Sequence, residues 1–586
     1  MTNPLTVSGR VRKSGGRLLL APGLLLLAVA FYYPLVYIVP QSPGGFAEIA
    51  QNPVYIKVAF TTVRIALEST AVTLVVSYPF AWLIARSSGT RRAVLSGIVF
   101  IPFLTSLLVR TFSWVVVLGQ DGVVNAALRA VGITHSPLSL LFTEGAVIAS
   151  LVQVSIPLMV FPLVSVMSRV DSRLIMVAQS LGSRRIIAFL KVLVPLTASG
   201  IRSGVTIVLL LALASFAAPA LLGGPAQTML GQLIQSQVAN GSDYALASAL
   251  SVVLAVTGIV LVVVINGLLR LVGRSWKKRR SVRLPRDGAD AAEVRRILAV
   301  PVSKRGGWGL SQRTSRVIGL VLVACFVVAV ALFVLIPLVV MIPLSFTSGD
   351  VLKFPTPGYS TRWYDQVFSG GQWLVPAATS ARIAVGAGIA APIIATLTAL
   401  GFGRSRGRLR GAVESAIVAP LVVPAVVYAL GAYLVFAPLH LVDSEPGLIV
   451  AETVLGLPLA YLVISASHGE VGVHLERAAA SLGSTPWRVF RRVVLPLIAP
   501  GVAVAVVLTV LSAWDESVVA IFLSGVNVQT VQAQIFASVQ LTNSPIVAAV
   551  SVLIIAVTLI ALGIVLAIAS ITGRAGSTYQ NLMPGR

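Results

Sequence analysis

The sequence predicts an all-α membrane protein, and three observations predict it. Of its 586 residues, 57% are apolar and 11% charged, whereas an average soluble domain holds about 25% charged residues. Apolar runs long enough to cross a bilayer, ~20 residues, recur along the whole chain, while membrane strands would be shorter and alternating. The 44 Lys and Arg residues outnumber 19 acids and sit in short loops between the runs, a pattern of orientation rather than of nucleic-acid binding.

Reading the runs and their breaks in order places spans at 17–39, 56–85, 93–119, 144–168, 199–222 and 244–272, then at 317–344, 373–400, 411–437, 447–467, 500–523 and 545–572. That is about twelve transmembrane helices, six plus six. Arg10, Arg12, Lys13 and Arg17 precede the first run like the basic flank of a signal peptide, yet the run continues to Val39 without a small-residue cleavage site and is read as a retained span. Arg86, Arg91 and Arg92 follow span two, and Arg169, Arg173, Arg184, Arg185 and Lys191 follow span four. Arg404, Arg406, Arg408 and Arg410, then Arg477, Arg488, Arg491 and Arg492, repeat this in the second half. The positive-inside rule makes these loops and both termini cytoplasmic, and loops 120–143 and 345–372 outer. The single cysteine, Cys325, lies in an apolar run, which excludes an intramolecular disulfide and suggests packing.

The expected organisation is a first domain over 1–272, a linker over 273–316 and a second domain over 317–586. The linker holds thirteen Lys and Arg against three acids, with Pro285, Gly288, Pro301, Gly306 and Gly307 breaking any long helix. It reads as a solvated tether, with binding to anionic lipid headgroups as the alternative.

The halves are copies. Between 178 and 200 the chain agrees with itself 301 residues later at 11 of 23 positions, including Gly182/Gly483, Phe189/Phe490, Pro195/Pro496 and Gly200/Gly501. Earlier, Thr62-Val-Arg64 matches Ser380-Ala-Arg382, and Pro102 matches Pro420, at an offset of 318. An even number of spans separates the copies, so the two six-helix repeats run parallel, about an axis along the membrane normal.

The duplicated loops lie near 169–197 and 468–497. In the second, Ser484 and Pro486 are placed to cap and start a helix. Trp487, Phe490, Val493 and Leu497 follow at three- and four-residue spacing, one helical face, with Arg488, Arg491 and Arg492 opposite. Ile186, Phe189, Val192 and Leu196 repeat the stripe. Gly182 and Gly483 are expected to end the preceding short helix in a left-handed conformation. One such element reads as an interfacial helix on lipid headgroups; two at matched places on one face suit a partner with two equivalent receptors.

These loops resemble the EAA motif of permease subunits of ATP-binding-cassette importers, E-A-A-x-x-x-G with a nine-residue gap and a final I-x-L-P. The motif's glutamate position holds Met176 in the first copy and Arg477 in the second, with Glu476 one residue early. The resemblance implies a type I importer permease of the binding-protein-dependent inner-membrane component family, in which the loop is the coupling helix that sits in a groove of the ATPase. It assigns that role to Ala178, Gly182, Ser183, Phe189 and Pro195, and to Ala478, Ala479, Gly483, Ser484, Trp487, Phe490 and Pro496. It also implies two copies of an ATPase subunit, an extracytoplasmic solute-binding protein and a bacterial inner-membrane location. No cofactor is expected on this chain, ATP and Mg²⁺ being used by the partner. Ser215-Phe-Ala-Ala-Pro219 and Met229-Leu-Gly231 look like the first permease of spermidine/putrescine importers, and Trp514-Asp515-Glu516 with Thr530-Val-Gln-Ala-Gln534 like the second. Importers of ferric iron, thiamine or 2-aminoethylphosphonate are the alternatives. An ion-coupled secondary transporter is the alternative of another class.

Enzyme chemistry finds no support. Phe368-Ser-Gly-Gly-Gln372 reads like an ATPase signature, but no G-x-x-x-x-G-K-[ST] loop exists to use it. His135, His440, His468 and His474 have no metal-ligand spacing. Charges inside spans default to function because they are costly, about 2.5–3.5 kcal/mol at mid-helix. Arg64 and Glu68, one turn apart, read either as a mutual ion pair or as pathway residues. Asp515 and Glu516 have no such neighbour and suit a cation in transit, with Phe216 and Trp514 as pathway or packing aromatics, while Glu414 and Glu452 read as interfacial.

Overall fold

Within hydrocarbon every backbone polar group must be satisfied inside its own segment, so the long apolar runs fold as helices. The computed structural model describes residues 18–103, 105–171, 173–180, 187, 189–241, 243–278, 312–402, 408–471, 475, 478–479, 481–542 and 544–581. Spans one to six follow Ala21–Gln41, Pro53–Arg86, Gly89–Phe103 with Leu107–Leu118, Glu144–Met167, Ala198–Leu213 and Tyr244–Lys278. Spans seven to twelve follow Gln312–Ser345, Gly371–Phe402, Arg408–Val418 with Ala425–Phe436, Glu445–Val471, Leu495–Asp515 and Ile546–Asn581. Among the described residues nine helices are long and apolar enough to cross a membrane, eleven when each sharply bent pair counts once, and the twelfth span is apolar over Ile546–Ala561. Starts follow local chemistry: the Asn52 side chain accepts from Val54 N ahead of Pro53, and Thr143 Oγ1 accepts from Ala146 N ahead of Glu144.

Four spans are broken where the sequence read continuous runs. Span nine turns by 92° after Leu421, just past Pro420, and span three breaks just past the matching Pro102. Spans five and eleven stop at Leu213 and Asp515, and the chain forms short helices Ala217–Leu222 and Val518–Leu523 before turning back into Leu230–Ala239 and Val531–Leu541. Pure apolarity hides such breaks, because unwound residues such as Thr105, Ser106, Phe216 and Ser517 are buried in protein, where irregular backbone is tolerated at membrane depth. The helices of spans six and seven extend to Lys278 and from Gln312, shortening the expected linker from both sides; 279–311 lie outside the described residues.

In each half spans two and four pack along one another and span five or eleven lies against both. Span one crosses over, its Tyr33–Gln41 segment packing on Ala425–Phe436 of the second half, while span seven packs on Leu107–Leu118 of the first. Gly431 permits the first crossing, since a Cβ there would lie 2.7 Å from Pro34 O. The largest buried cluster draws on both halves, from Leu27 and Phe112 to Tyr428 and Phe536. Loop 346–360 reaches back as well, Phe354 N donating to Asp121 O at 2.9 Å. Cys325 is exposed on span seven, so it does not serve core packing.

Candidate functional site

The second duplicated turn is described nearly throughout. Gly483 has φ +80°, the left-handed conformation its residue type anticipates, and Ser484 N closes the turn on Ala479 O at 3.3 Å. The helix cap is Thr485 rather than Ser484: its side chain accepts from Arg488 N, and Pro486 takes the first turn. The stripe is also rotated. Val489, Val494 and Ile498 are buried with Val471, and Phe490 and Val493 flank them, whereas Leu497 is exposed and Trp487 is 68% exposed, its ring 5.5 Å from that of Phe490. The rotation follows from a π-helical turn, Phe490–Val494, which inserts an extra residue into the helical period ahead of Pro496. Ala478 and Pro496 are exposed, Ala479 and Ser484 half-buried, and Leu482 is 86% exposed beside Gly483.

In the first copy Gly182, Ser183 and Ile186 lie outside the described residues, as do Glu476 and Arg477 of the second. The π-turn recurs at Phe189–Leu193 ahead of Pro195. Ala178 is buried against Val192. Phe189 is half-buried, edge-on to Tyr78 and Trp82 at 5.5 and 6.2 Å. The copies then diverge: the first bends by 69° where Phe189–Leu196 meets Ala198–Leu213, whereas Pro486–Asp515 is one continuous helix. Thr197 sits at the bend, its Oγ1 donating to Leu193 O at 2.9 Å and lying 2.8 Å from Tyr78 Oη. Ile498 occupies the matching place and has no hydroxyl to offer the backbone.

Arg64 does not pair with Glu68. Its Nη2 lies 2.5 Å from Glu144 at the start of span four, and the second half repeats this with Arg382 and Glu445 at 2.6 Å; Glu68 is exposed. The offset change between Arg64/Arg382 and Glu144/Glu445, 318 against 301, hid this duplication from a scan at one register. A second matched bond ties span two to the returning helix: Leu230 N donates to Thr62 Oγ1, and Val531 N to Ser380 Oγ, both at 2.9 Å.

Where the halves meet, the breaks gather polar groups. Asp515 and Glu516 unwind the chain together. Asp515 Oδ1 accepts from Leu107 N of the first half at 3.2 Å and faces Arg110, which is 4% exposed with an unpartnered Nη1. Glu516 accepts from Val518 N, Val519 N and Ala520 N at 2.8–3.2 Å, capping the short helix. Gln532 bridges the halves, accepting from Ser106 Oγ at 3.1 Å and donating to Trp514 O at 3.2 Å. Phe216 is buried edge-on to Phe536 at 5.4 Å, and half-buried Trp514 leaves its Nε1 unpartnered. Sequence reasoning missed Arg110, Gln532 and Tyr428, and took Glu452, 3% exposed on span ten, as interfacial. Polar residues recurring inside apolar runs were the available signal. Glu414 does lie near the basic end, paired with Arg410 at 2.9 Å.

A doubled six-span helical unit, with matched π-turns beside its basic loops and a polar seam between its lobes, has the build of a two-lobed permease. The model of the family described as binding-protein-dependent transport system inner membrane component matches residues 77–278 and again 388–570, and the chain belongs to that family in both halves. It is 34% identical over 240 residues, 40% of this chain and 84% of the relative, to the spermidine/putrescine transport system permease protein PotB of Haemophilus influenzae. It is 33% identical over 213 residues, 36% of this chain and 78% of the relative, to the Escherichia coli protein of that name. A chain of a bacterial alginate transporter, crystallised with its pentasaccharide-bound periplasmic protein, aligns over 43% of this chain and 93% of its own at 19% identity, with a TM-score of 0.39. The chain is a multi-pass inner-membrane permease of an ATP-binding-cassette importer, a role that implies an ATPase and a binding protein as partners.

Proposed function

We propose that this chain forms both lobes of a polyamine importer, moving a spermidine- or putrescine-like cation received from an extracytoplasmic binding protein. The observation that carries the reading is the pair of relatives named for spermidine/putrescine transport, which cover most of their own length. Asp515, Glu516 and Glu452 where the lobes meet suit a cationic solute, with Phe216 and Trp514 beside them. Arg64 and Glu68 have no part in the pathway on this reading, Arg64 being a tie between spans two and four.

The basic loops and both termini face the cytoplasm on the positive-inside rule. Two ATPase copies dock there, one under each turn: Ala178, Gly182, Ser183, Phe189 and Pro195 serve one, and Ala478, Ala479, Gly483, Ser484, Trp487, Phe490 and Pro496 the other. The exposed Leu482 and Trp487 offer an apolar surface that water alone does not favour. ATP and Mg²⁺ act on those partners, and this chain does no catalysis. Closure of the ATPases pulls the continuous helix Pro486–Asp515, whose far end is the Asp515–Glu516 break, so the stroke reaches the polar seam directly. Uptake of labelled spermidine by the assembled transporter tests the substrate. Gly182→Val with Gly483→Val tests the coupling: uptake is abolished while the protein still inserts in the membrane, and unchanged uptake refutes it.

A further inference from the structure

Of the acids at the lobe seam, one is balanced and two are not. Asp515 faces Arg110. Glu452 faces Glu516 across the packing of span ten on the short helix Val518–Leu523, Glu516 also faces Asp515, and no described cation faces either Glu452 or Glu516. Glu516 has an evident structural duty as a cap, which uses three of the roughly four acceptor positions of a carboxylate. Glu452 has no such duty: it is 3% exposed and makes no hydrogen bond among the described residues. Tyr428, on the segment Ala425–Phe436 that packs on the same short helix, is fully buried, faces both carboxylates, and its hydroxyl has no partner. A buried carboxylate and a buried phenol without partners are costly in hydrocarbon, so their joint presence calls for a ligand. The matching places in the first half hold Arg110, Leu151 and Ser215, so the arrangement belongs to the second half alone.

We propose that Glu452, Glu516 and Tyr428 form a pocket for a protonated primary amine. An ammonium group carries three donors, and the pocket offers three acceptors: Glu452, the remaining lone pair of Glu516 and the Tyr428 oxygen. Glu452 stands seven residues beyond Glu445, about 10 Å along the helix, in the part of span ten away from the basic loops. The adjoining Asp515 faces Arg110, whose resident guanidinium keeps that acid from holding the cation equally well. The pocket deepens the polyamine reading and rests on it for the identity of the solute.

The test is equilibrium binding of radiolabelled spermidine to the whole chain in phosphatidylcholine nanodiscs. Glu452→Gln, which keeps the shape, weakens binding by about tenfold or more, as loss of a charge-assisted hydrogen bond does; Tyr428→Phe weakens it less. Glu452→Asp retains most of it, and Glu414→Gln, at the basic end, leaves it unchanged. Wild-type affinity in a monodisperse Glu452→Gln variant overturns the pocket. So does absence of spermidine binding to the wild type, which would make the two carboxylates sharers of a proton. The polyamine reading fails separately, if the assembled transporter takes up no spermidine although the wild-type chain binds it.

Discussion

The two halves share their ties and differ in what they point at the centre. The span-two hydroxyl to the returning helix, the arginine to the start of span four, the π-turn before the proline and the short helix after the break all occur twice. Arg110 against Tyr428, Leu151 against Glu452, and Ala214-Ser215 against Asp515-Glu516 do not. The duplicated ties between spans are therefore scaffold, while the duplicated π-turns belong to the proposed ATPase-docking elements. On the polyamine proposal the unduplicated polar side chains are what the solute reads, since two unlike lobes need not present it the same groups from both sides.

The largest effect that sharpens this contrast is steric. Gly431→Val drives a side chain into the Pro34 backbone and costs about 3 kcal/mol or more, read as lost expression and a fallen unfolding temperature. Ser113→Ala at the matching place removes only a local bond to Val109 O and stays within about 1 kcal/mol. Next is the bend found in one half alone. Thr197→Val leaves the buried Tyr78 hydroxyl without its partner and costs about 1–3 kcal/mol; the double variant with Tyr78→Phe recovers part of it, and zero coupling in that cycle separates the bend from this bond. Smaller still is the partly exposed Arg64–Glu144 pair, for which Arg64→Gln costs about 0.2–1 kcal/mol. The charge-reversed double variant, Arg64→Glu with Glu144→Arg, restores the lost stability in thermal unfolding if the pair acts as a simple tie.

The smallest effect is local and depends on pH. Burial is the largest single influence on the Asp443 carboxyl and raises it, but the backbone N–H groups of Asn527 and Val528 and the Asn527 side chain together outweigh it and hold the carboxyl below the usual aspartate range. The charged form is favoured in the folded loop, so its contribution is whole above the ordinary aspartate pKa and drains away as pH falls through the depressed one. Amide exchange at Asn527 and Val528 should stay protected at neutral pH and loosen only in strong acid. The loop at Gly224, where Phe142 takes the place of Asp443, should show no such step.

Composition, run length and loop charge sufficed for the helical class, the twelve spans and the duplication, because hydrocarbon leaves the backbone few options and internal repetition is visible in one chain. The turn at Gly483 was legible too, since few other residues hold φ +80° without strain. The rotated stripe was not, because a π-turn shifts the helical phase without changing composition. Nor were the partners of Arg64, Asp515 and Glu452: each lies tens to hundreds of residues away, on a span whose register is fixed only when the lobes interlock. Sequence determined which segments enter the membrane, through the local cost of burying each; tertiary packing decided which buried charges are balanced, through distances that no local pattern encodes.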